Sequence, residues 1–197
     1  MKHVAFVGAL LIAFGGSAGA QSLTEKTGVN SVFGISPSTP DFVKRVALSD
    51  LFEIQSSELA KEKSSGPVKA FAEQMIQDHT KTSNELKAFA ANGSLKVDIP
   101  SGLDDSHQKK LDALKEAEGR NLAGTYVNDQ VDAHKDAVDL FERYAKGGDN
   151  ETLKQWVSKT LPTLKSHLEM AEGLNNAGAR RESEKEMPAK GTEATGR

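Results

Sequence analysis

The chain has 197 residues, with 28 acidic against 25 basic side chains for a formal charge of −3, and it contains no cysteine. Acids and bases are interspersed along its length, which argues against a nucleic-acid partner, because phosphate binding needs clustered Lys and Arg to release counterions. Without a thiol there is no disulfide, no thiolate metal site, no acylated lipoprotein cysteine and no cysteine nucleophile.

Met1 to Ala20 reads as an export signal: Lys2 is followed by an apolar run from Val4 to Phe14 and by the small residues Ala18-Gly19-Ala20. The run falls short of the roughly 20 residues that span a bilayer, so cleavage after Ala20 leaves no transmembrane anchor, and a bacterial periplasm is the expected location. Residues 21–38 are rich in Gly, Ser, Thr and Pro with isolated apolar residues such as Val32 and Phe33, and are expected to form a flexible tether.

A four-helix domain is expected over residues 39–176. Thr39-Pro40-Asp41 supplies a capping hydroxyl, a proline in the first turn and an acid at the positive end of a helix that runs to about Lys63. Val43, Val46, Ala47, Asp50, Glu53, Ile54 and Ser57 share its inner face, with Leu51, Phe52 and Leu59 off it. Ser64-Ser65-Gly66-Pro67 makes a tight hairpin into a second helix, which ends at Asn92-Gly93. Its apolar seam, Val68, Ala72, Met75, His79, Thr82, Leu86 and Phe89, alternates steps of four and three.

Ser94 to Gly119 is longer than a simple helix connection, and it holds Pro100, a cap at Ser101 or Asp104 and a short amphipathic stretch around Leu111 and Leu114. It reads as a crossover carrying a short extra helix. The third long helix carries the seam Val127, Val131, His134, Val138, Phe141 and Ala145 and ends at Gly147-Gly148. Asp149-Asn150 caps the fourth, with Leu153, Val157, Thr160, Leu164, His167, Ala171 and Leu174 on its seam and Pro162 inside it. After Asn176 a tail rich in Gly, Glu, Lys and Arg is expected to be disordered to residue 197.

His79, His134 and His167 thus each lie on the apolar stripe of a different helix, and Glu53 lies on the inner side of another. With a crossover that makes the second and third long helices parallel, the preferred layout, the four residues fall about 10 to 13 residues from one end of the bundle, or about 8 for His167, a spread of about 7 Å. Up-down-up-down topology instead puts His167 about 17 residues from the end that places the other two histidines near 12, a mismatch of about 7 Å that also leaves a cluster possible. Three imidazoles and a carboxylate make a donor set for one transition-metal ion, of the zinc, iron or copper class. Asp50, Asp78 and Asp136 are candidates to orient the imidazoles, and Met75 and Met170 add thioethers that would suit copper. The plainer alternative is a histidine core hydrogen-bonded to Thr82, Thr160, Ser57 and Glu53. His107, on the polar crossover, is expected to be solvated.

The stretches Phe52-Glu53-Ile54-Gln55-Ser56-Ser57, Met75-Ile76-Gln77-Asp78-His79-Thr80-Lys81, Ala133-His134 and Leu161-Pro162-Thr163-Leu164-Lys165-Ser166-His167 closely resemble the bacterial DUF4142 family. The resemblance covers about Asp41 to Leu174 and implies an all-α, ferritin-like helical bundle in an exported protein. Members are often labelled outer-membrane proteins, but this chain has neither the alternating strands of a barrel nor a second hydrophobic span. Di-iron bundles use Glu-x-x-His, whereas Ile76, Val131 and Leu164 stand three residues before the histidines, which puts iron storage and oxygen activation in doubt. No nucleophile elbow or phosphate-cradling loop points to an enzyme. The expected function is non-catalytic: metal handling or envelope stress, or else an interaction module contacting another envelope protein, with a metalloenzyme of atypical ligation as the third reading.

Overall fold

The computed structural model describes residues 31–186 apart from 32, 94 and 96. The expected export signal, most of the tether and the end of the tail lie outside the described residues. Within them the chain forms five helices and no strand: α1 (Thr39–Lys63), α2 (Gly66–Ala91), α3 (Asp105–Glu116), α4 (Gly119–Gly147) and α5 (Glu151–Glu186). None is long and apolar enough to cross a membrane.

Local chemistry sets the helix starts. Ser38, rather than the expected Thr39, caps α1, its hydroxyl accepting from the Asp41 amide at 3.3 Å. Pro40 then sits in the first turn, where its missing N–H costs no helical bond. Thr39 instead bonds Asp149 and Tyr144 at the α4–α5 corner, tying the start of α1 to that corner. Gly66 turns the α1–α2 hairpin at φ 60°, a conformation a Cβ disfavours. Asp104 caps α3 by accepting from the His107 amide at 3.0 Å, and Asn150 caps α5 by accepting from Leu153 at 2.9 Å.

The topology follows from two apolar clusters at opposite ends. One gathers Phe42 and Val46 from the start of α1, Leu86 near the end of α2, Phe141 and Tyr144 near the end of α4 and Trp156 near the start of α5. The other gathers Ala60, Phe71, Met75, Leu122, Tyr126 and Ala171 from the opposite ends of the same helices. Both α2 and α4 therefore finish at the first cluster, so they run parallel, and the chain must cross the whole bundle between them. Leu95, Val97 and Ile99 pack on the first cluster as that crossing begins, and Leu114 of α3 is buried in the second as it ends. This is the connectivity of bundles with one long crossover, the ferritin-like arrangement.

Four local expectations change. Phe52 is only 1% exposed although it lies off the inner stripe of α1, because α3 covers that side; its ring meets His107 at 5.5 Å and lies under Lys110. His107 is accordingly half-buried and bonded to Asp104 at 2.7 Å rather than solvated. The last tether residues are docked on α4: buried Arg143 donates to the Ile35 carbonyl at 2.7 Å, and Ser31 donates to Asp139 at 2.8 Å. Finally, α5 continues past Asn176 to Glu186, since the Ala, Arg and Glu residues of that stretch favour helix strongly enough to outvote Gly178.

Candidate metal centre

Between the two apolar clusters lies a polar layer. From α1 come Asp50 and Glu53, from α2 His79, from α4 His134 and from α5 His167; all five are buried, Glu53 and His134 completely. The three imidazoles pack ring against ring at centroid distances of 5.2 to 5.5 Å. One nitrogen from each lies within 4.8 Å of the other two. Glu53 stands against two of the three, its Oε2 3.4 Å from His79 Nε2 and its Oε1 3.8 Å from His134 Nδ1.

Each ring is oriented from outside. His79 Nδ1 meets Asp50 Oδ1 at 2.8 Å, and Asp50 is steadied by hydroxyls donated from Thr82 at 2.8 Å and Ser83 at 3.3 Å. His134 Nδ1 donates to the Gln130 carbonyl at 2.9 Å, one turn earlier on α4. His167 Nε2 meets Asp78 Oδ2 at 2.9 Å. Asp50 and Asp78 thus take the orienting part, while Asp136 is exposed. Thr160 donates to the Trp156 carbonyl and Ser57 pairs with Tyr126, so neither serves a histidine. Met75 and Met170 belong to the second apolar cluster, packing rather than offering thioethers.

Gln130 was not anticipated from the pattern. Its carbonyl holds His134, its amide reaches Ser56 at 3.4 Å, and its side chain is wholly buried. The signal was present as Tyr126, Gln130 and His134, three polar-tipped residues at steps of four beside the apolar seam.

Proton counting shows what the layer lacks. Burial, reinforced by the positive charge of His79, holds His134 down at about 3. Burial likewise lowers His167 to about 4, against the pull of Asp78. Both rings are therefore neutral near pH 7, with one N–H each. His134 spends its proton on the Gln130 carbonyl, which leaves a lone pair at Nε2. His167 has two short contacts, Asp78 at 2.9 Å and His134 Nε2 at 3.2 Å, and only one proton. With that proton on the Asp78 side, where the stronger acceptor lies, His134 Nε2 and His167 Nδ1 present facing lone pairs; the other tautomer makes the same contact a hydrogen bond. Both Glu53 oxygens and His79 Nε2 have no hydrogen-bond partner among the described residues.

His79 behaves differently. Burial alone would depress it, but the Glu53 carboxylate and the Asp50 contact together push it up to about 9. Burial raises both carboxyls above their ordinary range, and the His79 charge opposes that rise. Near pH 7 the Glu53–His79 pair therefore holds one proton and titrates as a unit.

An all-α bundle with one long crossover, three imidazoles and a carboxylate in a polar layer at mid-height, defines the class of this protein. The chain belongs to the DUF4142 family, a domain of unknown function, whose sequence profile matches residues 24–174. No curated protein and no solved structure matches it.

Proposed function

We propose that this chain is an exported metal-binding bundle that holds one divalent transition-metal ion, of the zinc, iron or copper class, through His79, His134 and His167, with Glu53 as the carboxylate partner. The facing lone pairs of His134 Nε2 and His167 Nδ1 carry the reading: at 3.2 Å they are repulsive without a cation. The same spacing is close to the roughly 3.4 Å edge of a tetrahedron with metal–nitrogen bonds of 2.0 to 2.1 Å. Asp50, the Gln130 carbonyl and Asp78 each occupy the other nitrogen of a ring, which is how ligating imidazoles are held in one tautomer.

Four donors, all buried, make a closed set of the kind used to bind a metal rather than to present an open position to substrate. Metal handling in the bacterial periplasm, after removal of Met1 to Ala20, is the function that suits such a centre. Metal analysis of protein purified without an affinity tag tests it. About one equivalent of metal is expected in the wild type and none in His79→Ala, His134→Ala or His167→Ala; a metal-free wild type that takes up none on reconstitution overturns the reading.

A second reading has its own support. With His79 raised to about 9, an imidazolium between Asp50 and Glu53 forms a buried ion-paired core that needs no metal. This would suit an envelope interaction module. The two readings differ in their response to pH. A metal must displace the proton of the Glu53–His79 pair, so below about pH 9 its affinity rises with pH by about tenfold per unit and then levels off. Because His134 and His167 are already neutral, calorimetry at pH 7 in buffers of different ionisation enthalpy is expected to show about one proton released per metal bound. Release of two or three would mean that one or both of His134 and His167 are charged in the metal-free fold, removing the lone-pair argument.

A further inference from the structure

The centre is almost closed to solvent: Glu53, His79, His134 and His167 are each 3% exposed or less. An ion must nevertheless reach it. The four long helices do not pack equally; α1 lies closely along α2 and α4 along α5, whereas α2 and α5 meet only sparsely. A cavity of about 550 Å³ fills that gap, lined by Asp78, His79, Thr82, Thr160, Thr163 and His167. Among the described residues, of the side chains that touch His79, His134 or His167, Asp78 is the substantially solvated one, with 29% of its side chain exposed.

The opposite flank is different. There a cavity of about 470 Å³ reaches Asp50 and, among the four donors, only His79, and its rim carries Asp104, His107 and Lys110 of the crossover region.

Helix α5 is also weakened where it borders the first cavity. Pro162 has no N–H, so the Ser158 carbonyl loses its helical partner. In the turn before Pro162, hydroxyls compete for the backbone: Ser158 donates to the Lys154 carbonyl at 2.9 Å and Thr160 to the Trp156 carbonyl at 3.0 Å. Such back-bonding bends helices and loosens the turns that carry it.

We infer that the metal enters and leaves through the cleft between α2 and α5, with Asp78 as the first protein group to meet the hydrated cation. This rests on the metal-binding reading above. His167 bridges the route: Nε2 faces Asp78 at the mouth and Nδ1 faces His134 inside, so one ring touches both the arriving ion and its final position. Pro162 leaves α5 short of one backbone hydrogen bond beside this cleft, where α5 meets α2 only sparsely.

The probe is Co²⁺ added to metal-free protein, with uptake followed by its visible absorbance and release followed after adding excess chelator. Thr163 lines the cleft one turn before His167, is exposed and makes no side-chain hydrogen bond to a donor, so Thr163→Trp plugs the route without removing a ligand. Asp136→Trp, exposed on the rim of the other cavity, is the matched control. Thr163→Trp is expected to slow uptake and release together by about tenfold or more with full final occupancy, the signature of a gated path, while Asp136→Trp matches the wild type. Pro162→Ala, which restores the missing N–H, is expected to slow both steps in the same sense. Unchanged rates in Thr163→Trp at full occupancy, or equal slowing by Asp136→Trp, overturn the route and leave the centre standing. A wild type that takes up no Co²⁺ overturns the centre and the route with it.

Discussion

Saturating Zn²⁺ is expected to raise the melting temperature of the wild type by roughly 8 to 16 °C. A ligand at a thousand times its dissociation constant adds about 4 kcal/mol to the native state, and a domain of this size gains roughly 2 to 4 °C per kcal/mol. His134→Ala separates this increment from ordinary packing. Its ring is completely buried between Glu53 and His167, so truncation leaves a cavity and lowers the metal-free melting temperature under either reading. Only the metal-binding reading predicts that the zinc-induced increment disappears as well. Scanning fluorimetry of both proteins with and without zinc gives the four numbers needed. A wild type whose melting point ignores zinc, iron and copper alike would leave the ion-paired core as the better account.

Glu53→Gln is expected to move stability in opposite directions with and without metal. Both Glu53 oxygens are buried and lack hydrogen-bond partners, and burial pushes the carboxyl above its ordinary range. Holding that group ionised in the metal-free fold costs desolvation, and the imidazole it attracts, His79, already has the Asp50 carboxylate as a counter-charge at 2.8 Å. Gln keeps the shape and removes the charge, so the metal-free variant should be more stable by about 1 to 3 kcal/mol. The same change removes the carboxylate that stands 3.4 Å from His79 Nε2, so the zinc-induced increment should shrink. Chemical denaturation at pH 7 with and without zinc measures both effects. If Glu53→Gln destabilises the metal-free protein, Glu53 is a satisfied partner of the His79 imidazolium, and the purely structural reading wins.

These expectations draw unequally on sequence and structure. Helix positions were legible because apolar residues recur at steps of four and three, and because Gly66-Pro67, Gly147-Gly148 and Asn150 interrupt them with defined backbone preferences. The length between Ser94 and Gly119 favoured a parallel course of α2 and α4 over an up-down-up-down bundle, and the placing of both helix ends in one apolar cluster decided it. That His79, His134, His167 and Glu53 belong to one layer followed from counting residues along helices of constant rise.

Periodicity failed where a second partner covered a helix from outside. Phe52 was placed off the inner stripe, yet it is buried under α3, a short helix whose resting place no local pattern encodes. Gln130 was passed over because amphipathic analysis scores apolar residues, whereas its use is a backbone carbonyl aimed at His134. The docking of Ile35 on Arg143 was hidden for the same reason, since a carbonyl acceptor has no composition.

The amino-acid order alone was thus enough to say which residues share a level of the bundle, because helical rise and period are properties of the backbone common to all sequences. Which nitrogen of each imidazole faces inward could come only from packing. Asp50, the Gln130 carbonyl and Asp78 reach the rings from three different helices, and the choice of tautomer belongs to those distances of under 3 Å rather than to any spacing along the chain.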